Sequence, residues 1–256
     1  MVAPAEQVWP SRMTLVRHGE SSGNVARDAA EAAGAALIEI TGRDVDVPLS
    51  ELGERQSRAL GRWYRDRPAG ERPSVLLTSP YVRARQTATL LAEAAELSDL
   101  VHVVDERLRE KEFGILNRLT HVGIRQQYAE HWEMRAQLGK FYYRPPGGES
   151  WCDVILRLRS LLNYIQIQYR NERVLVVGHQ VIVLCFRYLL EELSEEQLMA
   201  IDRQGDVANC SITDYQFERQ DNGRQHMALT VYNFVAPLDE QGTPVTEEPD
   251  AGAALR

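Results

Sequence analysis

The run Arg173–Val177 constrains the fold of this chain more than any other sequence feature. It places four consecutive apolar residues before Gly178 and His179, without the alternation of apolar and polar residues that is typical of a strand with one solvent-exposed face. An uninterrupted apolar strand is typical of the centre of a parallel sheet, where both faces are buried. Segments with helical patterns alternate with the strands, so we predict one α/β domain with a mostly parallel sheet covered on both faces. The other strands of this alternation are predicted at Met13–Val16, Ser74–Thr78 and Val101–Val104.

Capping residues predict where several helices begin. Ser50, with acidic residues in the turn that follows, predicts the N-cap of a helix that runs to about Asp66. Ser79, which precedes a proline, predicts a second N-cap with proline at the first helical position. Ser150 has an aspartate three residues on, which is the spacing of a capping box. Two alternating runs further along predict edge strands paired around an Asp-Asn-Gly turn: Ser211–Phe217 and Met227–Phe234.

Length and composition predict one domain with two tails. The 256 residues are enough to bury a self-sufficient core, and we assign residues 13–236 to a single domain. Within it, the polar helical pattern at about 115–147 predicts an inserted lid, which Pro and Gly residues end. Residues 1–12 are predicted to be a flexible N-terminus. Residues 237–256, rich in Pro, Gly, Ala and acidic residues, are predicted to be a disordered tail.

Charge and cysteine content narrow the expected partners and compartment. The formal net charge of −8, with no basic half or basic tail, argues against nucleic acid as a partner. No apolar run approaches the ~20 residues that span a bilayer, and no signal peptide is recognisable, so we expect no membrane partner and a cytoplasmic location. The three cysteines contain no CxxC pair, which predicts reduced thiols with packing roles and no zinc site: Cys152, Cys185 and Cys210.

Charged and basic side chains follow the predicted strands at the point where each strand ends. Arg17 and His18 follow the first strand, Arg83 comes just after the second, the third leads into Glu110, and His179 follows the fourth. Ligands of such sheets bind beyond the carboxyl ends of the strands, so we expect these side chains to meet at one edge. Arginine forks match phosphate oxygens, and an imidazole changes charge near neutral pH. The pattern predicts a phosphate site. For Glu110 a solvated acidic turn is the alternative.

Four motifs of the chain occur together in a known family. They are Leu15–Ser21 with Asn24, Ser79–Pro80 with Arg83–Ala84 and Gln86–Ala88, Leu108–Glu110 before Phe113–Gly114, and Val177–His179. Together they resemble the histidine phosphatase superfamily, in its phosphoglycerate-mutase-like branch, branch 1. The resemblance spans roughly Met13 to Phe234, with the motifs in family order.

The resemblance implies a fold, a reaction and a set of site residues. The fold is a three-layer α/β/α sandwich like that of phosphoglycerate mutase, and the reaction passes through a phosphohistidine without a metal or an organic cofactor. Carried over by motif, His18 becomes the nucleophile and Glu110 the proton donor. Flanking guanidinium charges disfavour the imidazolium and keep His18 in its reactive neutral form. The implied phosphate clamp and further substrate-binding residues are Arg17, Arg83, His179, Asn24 and Gln180.

Departures from the mutase pattern favour a phosphatase. Mutases carry a Leu-Asn-Lys run after the acidic motif, an Arg pair further on, and Gly-Asn after the second histidine. Here Arg118 stands in place of that lysine, no adjacent Arg pair occurs in the lid, and Gln180 follows His179. We therefore expect a phosphomonoesterase acting on a small phosphorylated metabolite. A phosphoglycerate mutase, a catalytically silent phosphate-binding module and a metal-dependent hydrolase remain as alternatives.

Overall fold

Six strands form one sheet in the computed structural model, which describes residues 7–98 and 100–247. The strands are β1 (Arg12–Arg17), β2 (Val75–Thr78), β3 (Val101–Val104), β4 (Arg173–Gly178), β5 (Ile212–Arg219) and β6 (Gln225–Phe234). Their order across the sheet is β3-β2-β4-β1-β5-β6. The first four are parallel to one another, whereas β5 runs antiparallel to β1 and β6 antiparallel to β5.

Helices cover both faces of this sheet. They are α1 (Ser22–Ala32), α2 (Glu51–Arg65), α3 (Val82–Ala94), α4 (His121–Gln127), α5 (Ala129–Tyr142), α6 (Trp151–Gln168), α7 (Gln180–Leu190), α8 (Glu195–Gln204) and α9 (Ala236–Asp239). Alternate residues of β4 explain the two layers, because Val174 and Val176 pack with α6 and α7 while Leu175 and Val177 pack with α2 and α3. The predicted α/β fold with a mostly parallel, doubly covered sheet is confirmed.

Strand register brings the functional ends together. Strand β4 lies between β2 and β1, with Val177 opposite Thr78 and Gly178 opposite Arg17. The pairing continues one residue further, since the backbone N–H of His18 donates to the carbonyl of Gly178 at 2.9 Å. Side chains that follow these strands therefore begin from adjacent points of one edge.

The capping residues are partly as predicted. Ser50 caps α2 and Ser150 caps α6 through a capping box, as the sequence indicates. The prediction for Ser79 is wrong, because α3 begins at Val82 with Tyr81 as its N-cap residue. The hydroxyl of Ser79 lies 2.8 Å from an imidazole nitrogen of the second histidine instead. The same oxygen also accepts the N–H of Tyr81 at 3.3 Å, so Ser79 serves both the start of the helix and a tertiary partner without being the N-cap residue.

The antiparallel strands also differ from the prediction. Both were expected at an edge of the sheet, but β5 pairs with β1 on one side and β6 on the other. Only β6 of this pair has an open edge. Strand β5 therefore extends the sheet core, and its residues Ile212 and Tyr215 are buried.

Described segments near both ends of the chain pack against the domain, although their composition predicts otherwise. Residues 237–247 belong to the packed structure, so the prediction of disorder is wrong for them; residues 248–256 lie outside the described residues. Leu238 is fully buried, and the carbonyl of Thr246 accepts the N–H of Asn209 at 2.9 Å. At the other end, Ser11 donates to the carbonyl of Glu172 at 2.8 Å, whereas residues 1–6 lie outside the described residues. Burial of Leu238 and a few backbone hydrogen bonds therefore hold these segments against the domain, although their composition is typical of disordered tails.

The helices α4 and α5 lie within residues 115–147, the segment predicted to be an insert. The chain leaves the domain and returns to it at one point, because the N–H of Ile115 donates to the carbonyl of Pro146 at 3.0 Å. Phe113 and Gly148 form an isolated antiparallel β-bridge next to this hydrogen bond. The two ends of the insert are therefore adjacent, and its role as a lid stays a prediction. Among residues 7–98 and 100–247, no helix is both long and apolar enough to cross a membrane.

Candidate active site

Two histidines lie side by side at the carboxyl edge of the sheet. The rings of His18 and His179 have centroids 5.1 Å apart and meet edge to face at 66°. Both side chains are buried, with 1% and 0% of their surface exposed. The structure thus brings together residues that are far apart in sequence, as the positions of the strand ends predict.

The hydrogen bonds of His18 define which ring nitrogen can react. Its Nδ1 lies 2.7 Å from the carbonyl oxygen of Gly19. A carbonyl only accepts, so Nδ1 carries the proton of the neutral ring and Nε2 keeps its lone pair. The Nε of Arg83 donates toward that Nε2 across 3.3 Å. Nε2 is therefore the ring nitrogen that carries a lone pair, and a cation lies beside it.

Gly19 supports this geometry by allowing close packing. A Cβ at this position would lie 2.6 Å from the carbonyl oxygen of Gly53 in α2, closer than van der Waals contact permits. The N–H of Gly19 donates to the Thr87 hydroxyl at 3.0 Å. The loop after β1 is therefore pressed between α2 and α3, which fixes the carbonyl that holds His18.

His179 is held neutral by its surroundings. Its Nε2 pairs with the Ser79 hydroxyl at 2.8 Å, and its Nδ1 lies 3.4 Å from Oε2 of Glu110. Burial lowers the pKa of His179 well below its ordinary value, and the charge of Arg83 lowers it further. A neutral imidazole here can donate one hydrogen bond to a phosphate oxygen without adding a second positive charge beside His18.

Arg83 has a partner that the sequence does not predict. Its Nη1 donates to Oδ1 and to the backbone carbonyl of Asp44, at 3.1 and 2.8 Å, and its Nη2 lies 3.3 Å from Oδ2. Asp44 belongs to the loop between α1 and α2 and lines the same cleft as His18. A carboxylate therefore lies on the guanidinium that we expect to bind phosphate.

Arg17 and Gln180 form a linked pair behind the histidines. The Nη1 of Arg17 donates to the carbonyl of Val207 at 2.6 Å, and the side chain is fully buried. The Nε2 of Gln180 donates to Asp206 at 2.7 Å, and its Oε1 accepts the Val207 N–H at 3.3 Å. Gln180 thus fixes the loop that holds Arg17. The expectation that Gln180 itself contacts substrate stays a prediction.

A narrow cleft opens beside His18 and Arg83. Asn24 lines it, as expected, while its Oδ1 accepts the N–H and the hydroxyl of Ser21 at 2.9 and 2.7 Å. The amide is therefore held in one orientation at the wall. The remaining lining residues come from the α1–α2 loop and from the start of the insert: Ser21, Gly23, Ile38, Ile40, Asp44, Asn117 and Arg118.

Glu110 is distinct from the carboxylates on either side of it. Its side chain is 1% exposed, and its Oε1 accepts the backbone N–H of Lys111 at 2.6 Å. Glu106 and Glu112 are exposed, and Glu112 accepts the Tyr81 hydroxyl at 3.1 Å. A solvated acidic turn does not describe Glu110, which faces the histidine pair.

Two buried cations on the Glu110 side were not predicted. Lys111 and Arg135 are each 7% exposed, and the ammonium of Lys111 lies 4.4 Å above the Phe113 ring. Burial lowers the pKa of Lys111 to about 8, with the charges of Arg135 and Lys140 acting in the same direction. Burial also lowers the pKa of Arg135 to about 10. Only the packing of the insert against the acidic loop reveals this cluster, because neither residue belongs to a recognisable motif.

Comparison with known proteins agrees with this geometry. The family model of the histidine phosphatase superfamily (branch 1) matches residues 13–230. The chain belongs to this superfamily. Its resemblance to branch 1, drawn from four motifs, is confirmed.

Relatives of this superfamily member include both mutases and bisphosphatases. A 2,3-bisphosphoglycerate-dependent phosphoglycerate mutase of Methylobacterium sp. (strain 4-46) is 30% identical over 196 residues, which cover 74% of this chain and 85% of the mutase. A 6-phosphofructo-2-kinase/fructose-2,6-bisphosphatase 3 of Rattus norvegicus is 30% identical over 190 residues, covering 74% of this chain and 29% of that protein.

Solved structures of phosphatases have the same fold as this histidine phosphatase superfamily member. Mycobacterial glucosyl-3-phosphoglycerate phosphatase in complex with VO3 superposes with a TM-score of 0.67 at 26% identity, over 88% of this chain and 100% of its own. An alpha-ribazole phosphatase from Shigella flexneri, at 21% identity and a TM-score of 0.66, covers 88% of this chain and 96% of its own, and it supports the fold alone.

Proposed function

We propose that the chain is a phosphomonoesterase that hydrolyses a small phosphorylated metabolite through a phosphohistidine on His18. One observation carries the proposal. The 2.7 Å hydrogen bond from Nδ1 to the Gly19 carbonyl directs the lone pair of Nε2 toward Arg83 in a buried cleft. A neutral imidazole that is fixed in this tautomer beside a guanidinium is suited to attack phosphorus in line.

The proposed reaction has two steps. In the first, Nε2 of His18 forms a bond to phosphorus while the bond from phosphorus to the alcohol oxygen breaks, and protonated Glu110 gives its proton to the leaving alkoxide. In the second, water attacks the phosphohistidine, Glu110 takes a proton from that water, and inorganic phosphate leaves neutral His18. Donors from Arg17, Arg83 and His179 stabilise the charge on the equatorial oxygens.

Phosphate release distinguishes this proposal from a mutase. The curated relatives at 30% identity include phosphoglycerate mutases, whereas the solved structures with related sequences include a phosphatase. Gln180 after His179, and Arg118 in place of the mutase lysine, support the phosphatase. Assays of phosphate release and of phosphoglycerate isomerisation should be run side by side on one preparation. Isomerisation faster than release would reverse the choice.

An acid-labile phosphoenzyme tests the nucleophile directly. We expect rapid quenching during turnover to trap phosphate on the protein, stable to base and lost in acid, and we expect none in His18→Ala. His226→Ala is the matched control, because His226 lies on the β5–β6 hairpin and pairs with Glu218 at 3.7 Å. Phosphate binding without a phosphoenzyme for any substrate in a broad panel would favour a silent binding module.

The same proposal extends to compartment and cofactor. It places the reaction in the cytoplasm, which the three free thiols support, since none of Cys152, Cys185 and Cys210 is in a disulfide. It needs no metal ion, no nucleic acid and no membrane partner. Turnover that is unchanged in excess chelator is the expected result, and turnover restored only by an added divalent cation would favour a metal-dependent hydrolase.

A further inference from the structure

Arg157 joins the insert boundary to the acidic loop that carries Glu110. It lies on α6 with a side chain that is 9% exposed. Its Nη1 donates to the carbonyl of Arg107 at 2.5 Å, and its Nη2 donates to the carbonyl of Glu110 at 3.3 Å. One guanidinium therefore binds the loop at two carbonyls, one of them belonging to the residue that we propose as the proton donor.

Glu149 orients this guanidinium and holds the far side of the loop. Its Oε1 accepts Nε of Arg157 at 3.0 Å, and its Oε2 accepts Nη2 at 3.1 Å. Its Oε2 also accepts the backbone N–H of Glu112 at 3.1 Å, and its own N–H donates to the carbonyl of Glu112 at 2.8 Å. The bidentate pair thus fixes the backbone before, at and after Glu110.

This arrangement bears on the reaction because the loop lacks regular structure around Glu110. The segment from Arg109 to Glu112 is neither helix nor strand, so no ladder of backbone hydrogen bonds sets its position. A proton donor must lie within hydrogen-bond reach of the leaving oxygen, and a misplacement of about 1 Å can reduce the rate by about 10²-fold. The contacts from α6 supply the constraint that the loop itself does not.

We propose that Arg157, oriented by Glu149, is a positioning residue for the general acid Glu110. The proposal rests on the proposed function, in which Glu110 protonates the leaving alcohol. Arg157 does not touch the reacting atoms; its guanidinium sets the backbone from which the carboxyl group extends. Lysine cannot replace it, since one ammonium cannot match the planar fork that serves two carbonyls and a carboxylate at once.

Leaving-group dependence tests the proposal. We compare kcat/KM for glycerol 3-phosphate, whose alkoxide needs a proton to leave, with kcat/KM for 4-nitrophenyl phosphate, whose phenolate does not. General acids contribute about 10²–10⁴-fold, so Glu110→Gln should reduce the first value by that factor and the second far less. Arg157→Met should lower the ratio of the two values by about 10-fold or more, and Arg157→Lys should restore little of it.

Arg109→Met is the matched control. Arg109 donates to the same Oε1 of Glu149 at 2.6 Å, but among the described residues its side chain makes no hydrogen bond with the carbonyls of Arg107 or Glu110, and it is 34% exposed. Its removal takes away the same charge beside Glu149, and we expect the ratio to change less than about two-fold. The ratio is measured within each variant, so a smaller folded fraction lowers both rates equally and does not change it.

The outcomes separate the two proposals. Equal losses on both substrates in Arg157→Met, with a selective loss in Glu110→Gln, would overturn the positioning role and leave the proposed function intact. Equal losses on both substrates in Glu110→Gln would show that Glu110 is not the general acid. The proton-donor role of Glu110 and the positioning role of Arg157 would then both be wrong. Absence of turnover with every phosphate ester would refute the proposed function and this inference together.

Discussion

Buried cations lie in two regions of the candidate site, and their partners differ: Arg17 and Arg83 lie beside the histidine pair, here called the phosphate end, while Lys111 and Arg135 lie on the Glu110 side next to the insert, here called the insert end. At the phosphate end, Arg17 donates to the Val207 carbonyl and Arg83 to the carboxylate of Asp44. At the insert end, among the described residues, no hydrogen bond or ion pair joins the side chain of Lys111 or Arg135 to a carboxylate, although the charge of Glu110 acts on Lys111 and that of Asp202 on Arg135. The phosphate end is therefore held in place before any ligand arrives, whereas the cations of the insert end have carboxylates nearby but no direct ion pair.

The different partners of these buried cations give the two ends different electrostatic properties. Partners that fix a guanidinium before the reaction reduce the reorganisation needed in the transition state, which suits the end where chemistry takes place. Buried cations without a direct ion pair are costly, and that cost falls when a further anionic group comes close to them. We therefore expect the phosphate end to serve the proposed chemistry, and the pH dependence of substrate binding tests whether the insert end recognises a second acidic group on the substrate.

Removing Arg83 should have the largest effect, because it breaks the phosphate end. Arg83→Met should lower kcat/KM by about 10²–10³-fold, the usual loss for one preorganised donor to a developing charge. Vanadate binding, followed by calorimetry, should weaken in parallel. Arg85→Met is the control, since Arg85 is an exposed arginine two residues further along α3. A loss of similar size in both variants would contradict the role given to Arg83.

Removing the carboxylate of Asp44 should act in the opposite direction. Asp44 holds Arg83 in place, but its carboxylate also neutralises Arg83 and occupies nitrogens that an incoming phosphate needs. Because asparagine at this position keeps the backbone contact and loses the charge, we expect Asp44→Asn to tighten the binding of inorganic phosphate by about 10-fold, equivalent to about 1.4 kcal/mol. Asp46→Asn makes the same charge change in the same short turn, but Asp46 pairs with exposed Arg43 at 2.7 Å. Calorimetric titration of both variants checks the difference. Weaker phosphate binding in Asp44→Asn would mean that Asp44 positions Arg83 rather than competes for it.

The phosphate end could be predicted from sequence because strand ends fix it. His18 and His179 directly follow parallel strands β1 and β4, and Arg83 lies in the first turn of the helix after β2. The rule that ligands bind beyond the carboxyl ends of such strands needs only the order of elements, which hydrophobic patterns reveal. The superfamily motifs fall on the same positions, so pattern and resemblance agreed on this end.

Asp44 could not be predicted because its loop takes its path from residues far away in sequence. The N–H of Ile38 donates to the carbonyl of Arg118 at 2.8 Å, and the Thr120 hydroxyl donates to the carbonyl of Ala35 at 2.6 Å. The start of the insert therefore holds the loop over the cleft. The prediction that Ser79 is an N-cap residue is wrong for a similar reason. A helix cap is a local pattern, whereas the Ser79 hydroxyl contacts His179, which is 100 residues away in the sequence.

The pH dependence of substrate binding should show the smallest effect, and it tests the insert end. Burial lowers the pKa of Lys111 to about 8, so its ammonium is charged below pH 8 and becomes neutral above it. We expect KM for a phosphate ester with a carboxylate, such as 3-phosphoglycerate, to rise about three- to ten-fold as the pH passes from 7 to 9, since one nearby charge pair contributes about 1 kcal/mol. KM for glycerol 3-phosphate, which has no second acidic group, should change far less.

Variants at the insert end then compare Lys111, whose ammonium has no direct ion pair among the described residues, with Lys140, whose ammonium is paired with a carboxylate. Lys111→Met should remove the rise in KM above pH 8, because the group that titrates is gone. Lys140→Met should leave the rise in place, since Lys140 is bound to both carboxylate oxygens of Asp202 at 2.7 Å. If the two lysine variants behave alike, or if both substrates show the same pH profile in the unaltered protein, then the insert end carries no recognition of a second acidic group. The contrast between the two ends would then reflect packing alone.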